Sequence, residues 1–158
     1  MIDAYFTLKW VHILSSTVLF GTGLGTAFHM WFAHLRGDVA TIAVVAGNVV
    51  LADWLFTTTA GIIQPVTGVF LAHEAGHELT ASWLVLTYFL YILAAVCWFP
   101  VVRLQVRVRD IARDCATNGT ALPSAYHRFM RLWFALGWPA FLALIAIFYL
   151  MVVKPDLW

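Results

Sequence analysis

Charged side chains fall in clusters along this chain, and long apolar runs lie between the clusters. No Asp, Glu, Lys or Arg occurs between Lys9 and Arg36, between Asp53 and Glu74, between Glu78 and Arg103, or between Arg131 and Lys154. An unpaired charge in hydrocarbon costs on the order of 3 kcal/mol or more, so uninterrupted runs of this kind point to a bilayer as solvent. Each reaches the roughly 20 residues that a spanning helix requires. A membrane β-barrel would instead show alternating segments of about ten residues. The pattern predicts an all-α, four-transmembrane-helix bundle, up-down in connectivity with short loops, built as a single domain over residues 1–158.

Two of these helices are longer than the membrane needs. A helix from Val39 to Ala72 would be about 50 Å long at 1.5 Å per residue, against roughly 30 Å of hydrocarbon. The third apolar run continues past the membrane as an amphipathic segment: Leu104, Val108, Ile111 and Cys115 recur at helical spacing, while Arg103, Arg107, Asp110 and Asp114 fall away from that stripe. Helices two and three are therefore expected to project from one side and cover each other, with Ile42, Val45 and Val49 as the facing stripe on helix two. Asn118, Gly119 and Pro123 mark the turn before helix four.

Composition narrows the class further. Of 158 residues 63% are hydrophobic and 11% charged, where a soluble domain carries about a quarter charged residues. Disorder requires low hydrophobicity, and a nucleic-acid module requires a broad basic face that a net charge of +1 does not supply. The basic residues are unevenly placed. Arg36, Arg103, Arg107, Arg109, Arg113, Arg128 and Arg131 lie in or beside the first and third connections, against only Lys9 and Lys154 near the termini. By the positive-inside rule, the first and third connections and the helical projections are cytoplasmic, and both termini and the loop 73–78 face outward. There the arginines set topology and touch anionic lipid. Tyr5, Phe6 and Trp10 at one end of the first helix, and Trp31 and Phe32 at the other, form interfacial belts. That helix is not a cleavable signal: its apolar core is too long, Asp3 precedes any basic residue, and no small-x-small cleavage site follows. Cys97 and Cys115 form no C-x-x-C pattern, so neither a disulfide frame nor covalent haem attachment is expected.

Candidate chemistry begins with His12, about two turns inside the outer end of helix one. A titratable side chain there faces the bundle or a cavity. Ser16, Gly23, Met30 and His34 lie within about 40° of it on the helix, a stripe of mostly small or polar residues. Two readings stand: a histidine bonded to a neighbouring helix, or an axial ligand of haem iron, with the macrocycle stacked between helices. Asp53 is the one carboxylate inside the spans, one turn from the cytoplasmic surface where water still reaches. It is read as a proton relay, as a partner for Arg103 or Arg131, or as an interfacial acid. Gln64-Pro65 interrupts helical hydrogen bonding in helix two, and a kink there opens space opposite His12 or only improves packing. Depth arithmetic puts Thr87, Tyr88 and Gln64 level with His12, facing one cavity. On the haem reading, the lack of a second histidine at that depth within a span predicts a five-coordinate haem, a weak sixth ligand, or help from His73 or His77.

Three further patterns carry weaker signals. His73-Glu74-Ala75-Gly76-His77 satisfies the H-E-x-x-H spacing of zinc proteases, but Gly76 disfavours the required helix and no soluble domain surrounds it, so a polar outer loop is the stronger reading. Gly21-Thr22-Gly23-Leu24-Gly25 has no preceding strand and reads as close helix packing with room for a cofactor face. His127, near His29 and His34 in depth, reads as an interfacial anchor or as part of a second site.

Lys9-Trp10-Val11-His12-Ile13, the stretch Phe20 to His34, and the closing run from Arg128-Phe129 through Trp133-Phe134 to Val152-Val153-Lys154-Pro155 resemble the HemJ-type protoporphyrinogen oxidases, small bacterial membrane proteins that bind haem b. Leu51-Ala52-Asp53-Trp54-Leu55-Phe56-Thr57 and Trp133 to Pro139 resemble a sister family of uncharacterised four-helix integral membrane proteins more closely. The resemblance implies that His12 ligates haem. Trp83-Leu84 matches the start of the family's third helix, but its important lysine falls at about Thr87, followed by Tyr88. Asp53 stands where that pattern favours a basic residue. The implied function is a haem b redox protein of the bacterial plasma membrane, with His12 as metal ligand and Ser16, Gly23, Gln64 and Thr87 beside the cofactor. Asp53, Thr87 and Tyr88 are then the candidates for catalysis on a porphyrin or quinone. The competing class is a scaffold, transport module or accessory subunit without haem. Lipid, and a second copy of the chain through the glycine-rich face and projecting helices, are the other expected partners.

Overall fold

A computed structural model describes residues 4–158, so Asp3 lies outside the described residues. The chain forms α1 (Ala4–Arg36), α2 (Val39–Ala52), a π-helical segment (Asp53–Thr57), α3 (Thr58–Glu74), α4 (Ser82–Asn118) and α5 (Ser124–Val153). α2, the π segment and α3 run on without a break, so the described residues contain four helices long and apolar enough to cross a membrane. Asp38 ends the first turn and starts the second span: its carboxylate accepts the Thr41 N–H at 2.8 Å, satisfying one of the donors that a helix N-terminus leaves open. The Thr41 side chain first, and its backbone N–H second, hold the exposed Asp38 carboxyl below the usual carboxylate range.

The expected projection is present and forms the main core. Ile42, Val45, Ala46 and Val49 of α2 meet Val101, Val108 and Ala112 of α4, and Met30 and Ala33 of α1 with Tyr126, Met130 and Trp133 of α5 close the layer. All four spans contribute to this arginine-rich end. Where the alternative to burial is water, each buried aliphatic side chain there contributes roughly 1.5–3 kcal/mol.

The other end, which carries both termini, is built differently. Its buried apolar cluster is small, formed by Ala72, Trp83, Leu84 and Leu150. The close helix pairs here are α1 with α3 and α4 with α5, and α1 meets α5 only lightly. Long side chains bridge the two pairs: Phe20 stacks on Phe141 at 5.0 Å and meets Phe148 edge-on at 5.3 Å. Lipid-facing residues such as Ile62, Phe70, Phe89 and Ile92 stay exposed, as expected where the surrounding solvent is itself apolar.

The glycines of α1 do not make the close helix packing expected of them. A Cβ at Gly21, Gly23 or Gly25 would meet nothing within 4 Å. The close approaches to glycine occur on the second span instead, at Gly47 and Gly68.

Candidate functional site

His12 lies on the face of α1 that packs against α3. Its Nδ1 is 2.9 Å from Thr67 Oγ1. The Thr67 hydroxyl donates its own proton to the Ile63 carbonyl at 2.8 Å, so toward the imidazole it acts as an acceptor. Gln64 precedes Thr67 by one helical turn and shares its face. With Oε1 toward α1, Gln64 accepts from Ser15 Oγ at 3.1 Å. Turned about, its nitrogen donates to His12 Nδ1 at 2.8 Å and its oxygen accepts from the Ser16 N–H at 3.2 Å. The two orientations go with opposite tautomers of His12: the first leaves the proton on Nδ1 and the second moves it to Nε2. Gly68 makes the approach possible, because a Cβ there would sit 3.1 Å from His12 Cε1.

His12 and Gln64 thus come together as the depth arithmetic expects, and the structure adds Ser15 and Thr67. The other expected members do not join them. The Ser16 side chain bonds its own helix at Ile13 O, and only its backbone N–H meets Gln64, in the turned orientation. Gly23 lies further along α1 with open space beside it. Thr87 is buried on α4 and donates to Trp83 O at 2.8 Å, while Tyr88 packs with the small cluster of that end. Neither makes a hydrogen bond to His12 among the described residues.

The helix runs on through Pro65. A proline at this position has no N–H to offer the Gly61 carbonyl four residues back. Tyr91 of α4 replaces the missing donor: its hydroxyl donates to Gly61 O. The helix continues as α3, and the orphan carbonyl becomes a tie between the two helix pairs. Sequence reading missed Tyr91; the signal available was a tyrosine in an apolar run, which needs a partner for its hydroxyl.

Asp53 is only 5% exposed, enclosed by protein side chains. It pairs with no arginine among the described residues, which corrects the expectation of Arg103 or Arg131. Thr57 Oγ1 donates to its carboxylate at 2.8 Å, and Gln105 of α4 lies within hydrogen-bonding reach. The π segment produces this arrangement. Thr58 N–H reaches back five residues to Asp53 O instead of four, and Thr58 Oγ1 donates to the same carbonyl at 2.9 Å. Such single π-turns recur at functional positions in helices. On the far side of Gln105 is a void of about 10 Å³ lined also by Met130 and Trp133. Gln105 Oε1 and Trp133 Nε1 are buried without a protein partner, and the void has room for about one water molecule.

The other histidines lie apart from His12. Gly76, at φ +71°, ends α3, with its N–H donated to His73 O and the His77 N–H donated to Ala72 O. His73 and His77 therefore do not share a helix face, and the zinc-protease spacing is not realised. His77 contacts Lys154 Nζ at 3.0 Å and the Trp83 ring edge-on, so it does not reach toward His12. His34 Nδ1 meets Tyr126 Oη at 3.2 Å, with the His127 ring 5.8 Å away. His29 is exposed, and no cluster of three or more His, Cys, Asp or Glu suited to a metal ion occurs among the described residues. Cys97 and Cys115 are both free.

No curated protein and no solved structure matches the chain. A family profile described as "predicted integral membrane protein (DUF2269)" matches residues 6–155. With nearly its whole length matched and four membrane-crossing helices in its fold, the chain belongs to the DUF2269 family of predicted integral membrane proteins.

Proposed function

We propose that this integral membrane protein binds haem b through His12 and works as a redox protein of the bacterial plasma membrane, HemJ-like, on a porphyrin or quinone that enters from the lipid. In this reading both termini face away from the cytoplasm, in keeping with the arginine bias. The observation that carries the proposal is the Thr67 hydroxyl, which has given its own proton to Ile63 O and faces His12 Nδ1 at 2.9 Å. Histidines that ligate metal almost always donate their other ring N–H to such an acceptor, which fixes the ring and raises the basicity of the ligating nitrogen. His12 Nε2 is then the nitrogen left for iron, and Gln64 presents Oε1 to Ser15. The donor chemistry of the site fits an iron-ligating histidine with Gln64 in this orientation only; the turned amide, which satisfies both its oxygen and its nitrogen, puts the ring proton on Nε2. The α1/α3 and α4/α5 pairs touch at this end mainly through long side chains, Phe20 on Phe141 and Tyr91 on the Gly61 carbonyl, and a planar group would enter between these pairs.

When bound, haem supplies one-electron chemistry. The chain's own residues orient the imidazole through Thr67, tie α1 to α3 through Ser15 and Gln64, and hold the helix pairs in register through Tyr91. Thr87 supplies no charge where HemJ-type proteins have a lysine, so Asp53 and the Tyr88 hydroxyl are the remaining candidates for proton handling. Protein purified in mild detergent from haem-replete cells is expected to show a Soret band that shifts on dithionite reduction. The band should be lost in His12→Ala and weakened or shifted in Thr67→Val. A colourless, folded preparation sinks the proposal.

A second reading, a scaffold or accessory subunit without haem, is favoured by the other Gln64 orientation. There the amide donates to Nδ1, the imidazole is held against Gly68, and His12 is a tie between helices. It predicts the colourless outcome together with a loss of thermal stability in His12→Ala.

A further inference from the structure

Beyond the apolar belt, α2 and α4 run side by side, and a groove of about 640 Å³ follows their shared edge. One end is cationic, with Arg109 and Arg113 of α4; the other is apolar, with Leu51 and Trp54 of the second span. We propose that this groove is a specific site for an anionic phospholipid, its phosphodiester held by Arg113 and Arg109 and one acyl chain lying over Leu51 and Trp54.

Three observations place the two ends at the right depths and give them the right chemistry. First, the groove crosses the membrane boundary that the charge pattern defines: Trp54 heads the charge-free run of the second span, and Arg103 is the first charge on α4 beyond its own. Gly47 lies seven residues above Trp54, a rise of about 10 Å along the helix. The polar headgroup layer of one leaflet is about 5–8 Å thick. With the Trp54 indole at the interfacial depth that tryptophan prefers, a guanidinium at the level of Gly47 lies at the outer edge of the headgroup layer, from which the long arginine side chain reaches back to lipid phosphate.

Second, Gly47 leaves room for Arg113 to lie over the groove. Its Nη2 lies 2.9 Å from where a Cβ of residue 47 would stand. Any side chain at 47 would displace the guanidinium, so glycine at this position lets the arginine lie across α2. Third, the charge is available. Arg113 forms no ion pair among the described residues. Arg109 is bound to Asp110 Oδ1 through Nε at 2.9 Å and Nη2 at 2.8 Å, which leaves its Nη1 free. Asn48, exposed at the same level, adds an amide to the polar end. A zwitterionic headgroup would bring an ammonium against these guanidiniums, whereas an anionic headgroup such as phosphatidylglycerol does not.

The test uses the whole protein, delipidated in detergent and offered dioleoylphosphatidylglycerol or dioleoylphosphatidylcholine, with retained lipid counted by native mass spectrometry. Phosphatidylglycerol is expected to be retained over phosphatidylcholine. Arg113→Gln should weaken retention about fivefold, the worth of one arginine near a lipid surface. Gly47→Leu should do the same by pushing the guanidinium away, and Arg128→Gln, an exposed arginine outside the groove, should leave retention unchanged. Should Gly47→Leu fail to fold, Arg113→Gln decides the matter alone, because its side chain is exposed and its loss removes no core contact. Equal retention of the two lipids, or an equal loss in Arg128→Gln, overturns the proposal. Displacement of bound lipid by glycerol 1-phosphate also overturns it, since the groove would then be a site for soluble phosphate.

Discussion

The two ends of this molecule solve the same packing problem with different forces. At the arginine-rich end, α2 and α4 leave the bilayer and enter water, and they bury a continuous aliphatic layer in which Ile42 and Val108 are almost fully enclosed. At the other end the helices stay in oil, where burying a leucine against a neighbour gains little over leaving it in lipid. There the contacts are polar or aromatic: His12 on Thr67, Ser15 on Gln64, Tyr91 on the Gly61 carbonyl, and Phe20 on Phe141. The first end is a clamp driven by water. The second is a set of discrete ties between helix pairs, and the candidate cofactor site sits among those ties.

The sharpest break of this comparison sets Ile42 against Ile62. Ile42 is 0% exposed in the projecting core, and Ile62 is 63% exposed toward lipid. Ile42→Ala is expected to cost about 2–5 kcal/mol in denaturant-titrated unfolding, and Ile62→Ala less than about 0.5 kcal/mol. Equal costs would mean that the two ends are not held by different forces. A smaller effect tests the polar ties. Tyr91→Phe is expected to cost about 1 kcal/mol, but close to nothing in a Pro65→Ala background, because alanine restores the backbone N–H that Gly61 lacks. A double-mutant cycle reads that coupling directly, and additive costs would show that Tyr91 does not replace the missing donor.

The smallest effect belongs to the start of α2. Thr41 holds the Asp38 carboxyl below its ordinary value, so ionised Asp38 supports the helix end above the usual carboxylate pKa. That support fades as pH falls through the lowered value. Hydrogen-exchange protection of the Thr41 amide, followed from about pH 5 to pH 2, should fall accordingly. Asp38→Asn keeps a capping oxygen and should remove this pH dependence. The same decline in Asp38→Asn would place its cause elsewhere.

Much of the architecture was legible in the letters. The gaps between charges marked all four spans, and the stripes Ile42, Val45, Val49 and Val108, Cys115 located the projecting faces. The site was legible only in part. His12 and Gln64 were placed at one depth because rise per residue is fixed. Thr87 and Tyr88 matched them in depth but not in direction, since depth says nothing of how a helix is turned about its axis. Asp53 was read as a proton relay, an arginine partner or an interfacial acid. The local π-turn, which no charge count reveals, places it among Thr57 and Gln105 on a buried face.

What the sequence determined by itself is the membrane character, the number of spans and the helical extensions. Each follows from a cost that adds up along a single segment: charge in oil, apolar surface in water, length against bilayer thickness. What the tertiary structure alone decided is the set of partners, Thr67 for His12, Tyr91 for the carbonyl that Pro65 leaves open, and Arg113 over Gly47. Those pairings depend on the rotation and approach of helices whose contacting residues lie tens of positions apart, and a one-dimensional pattern carries no record of either.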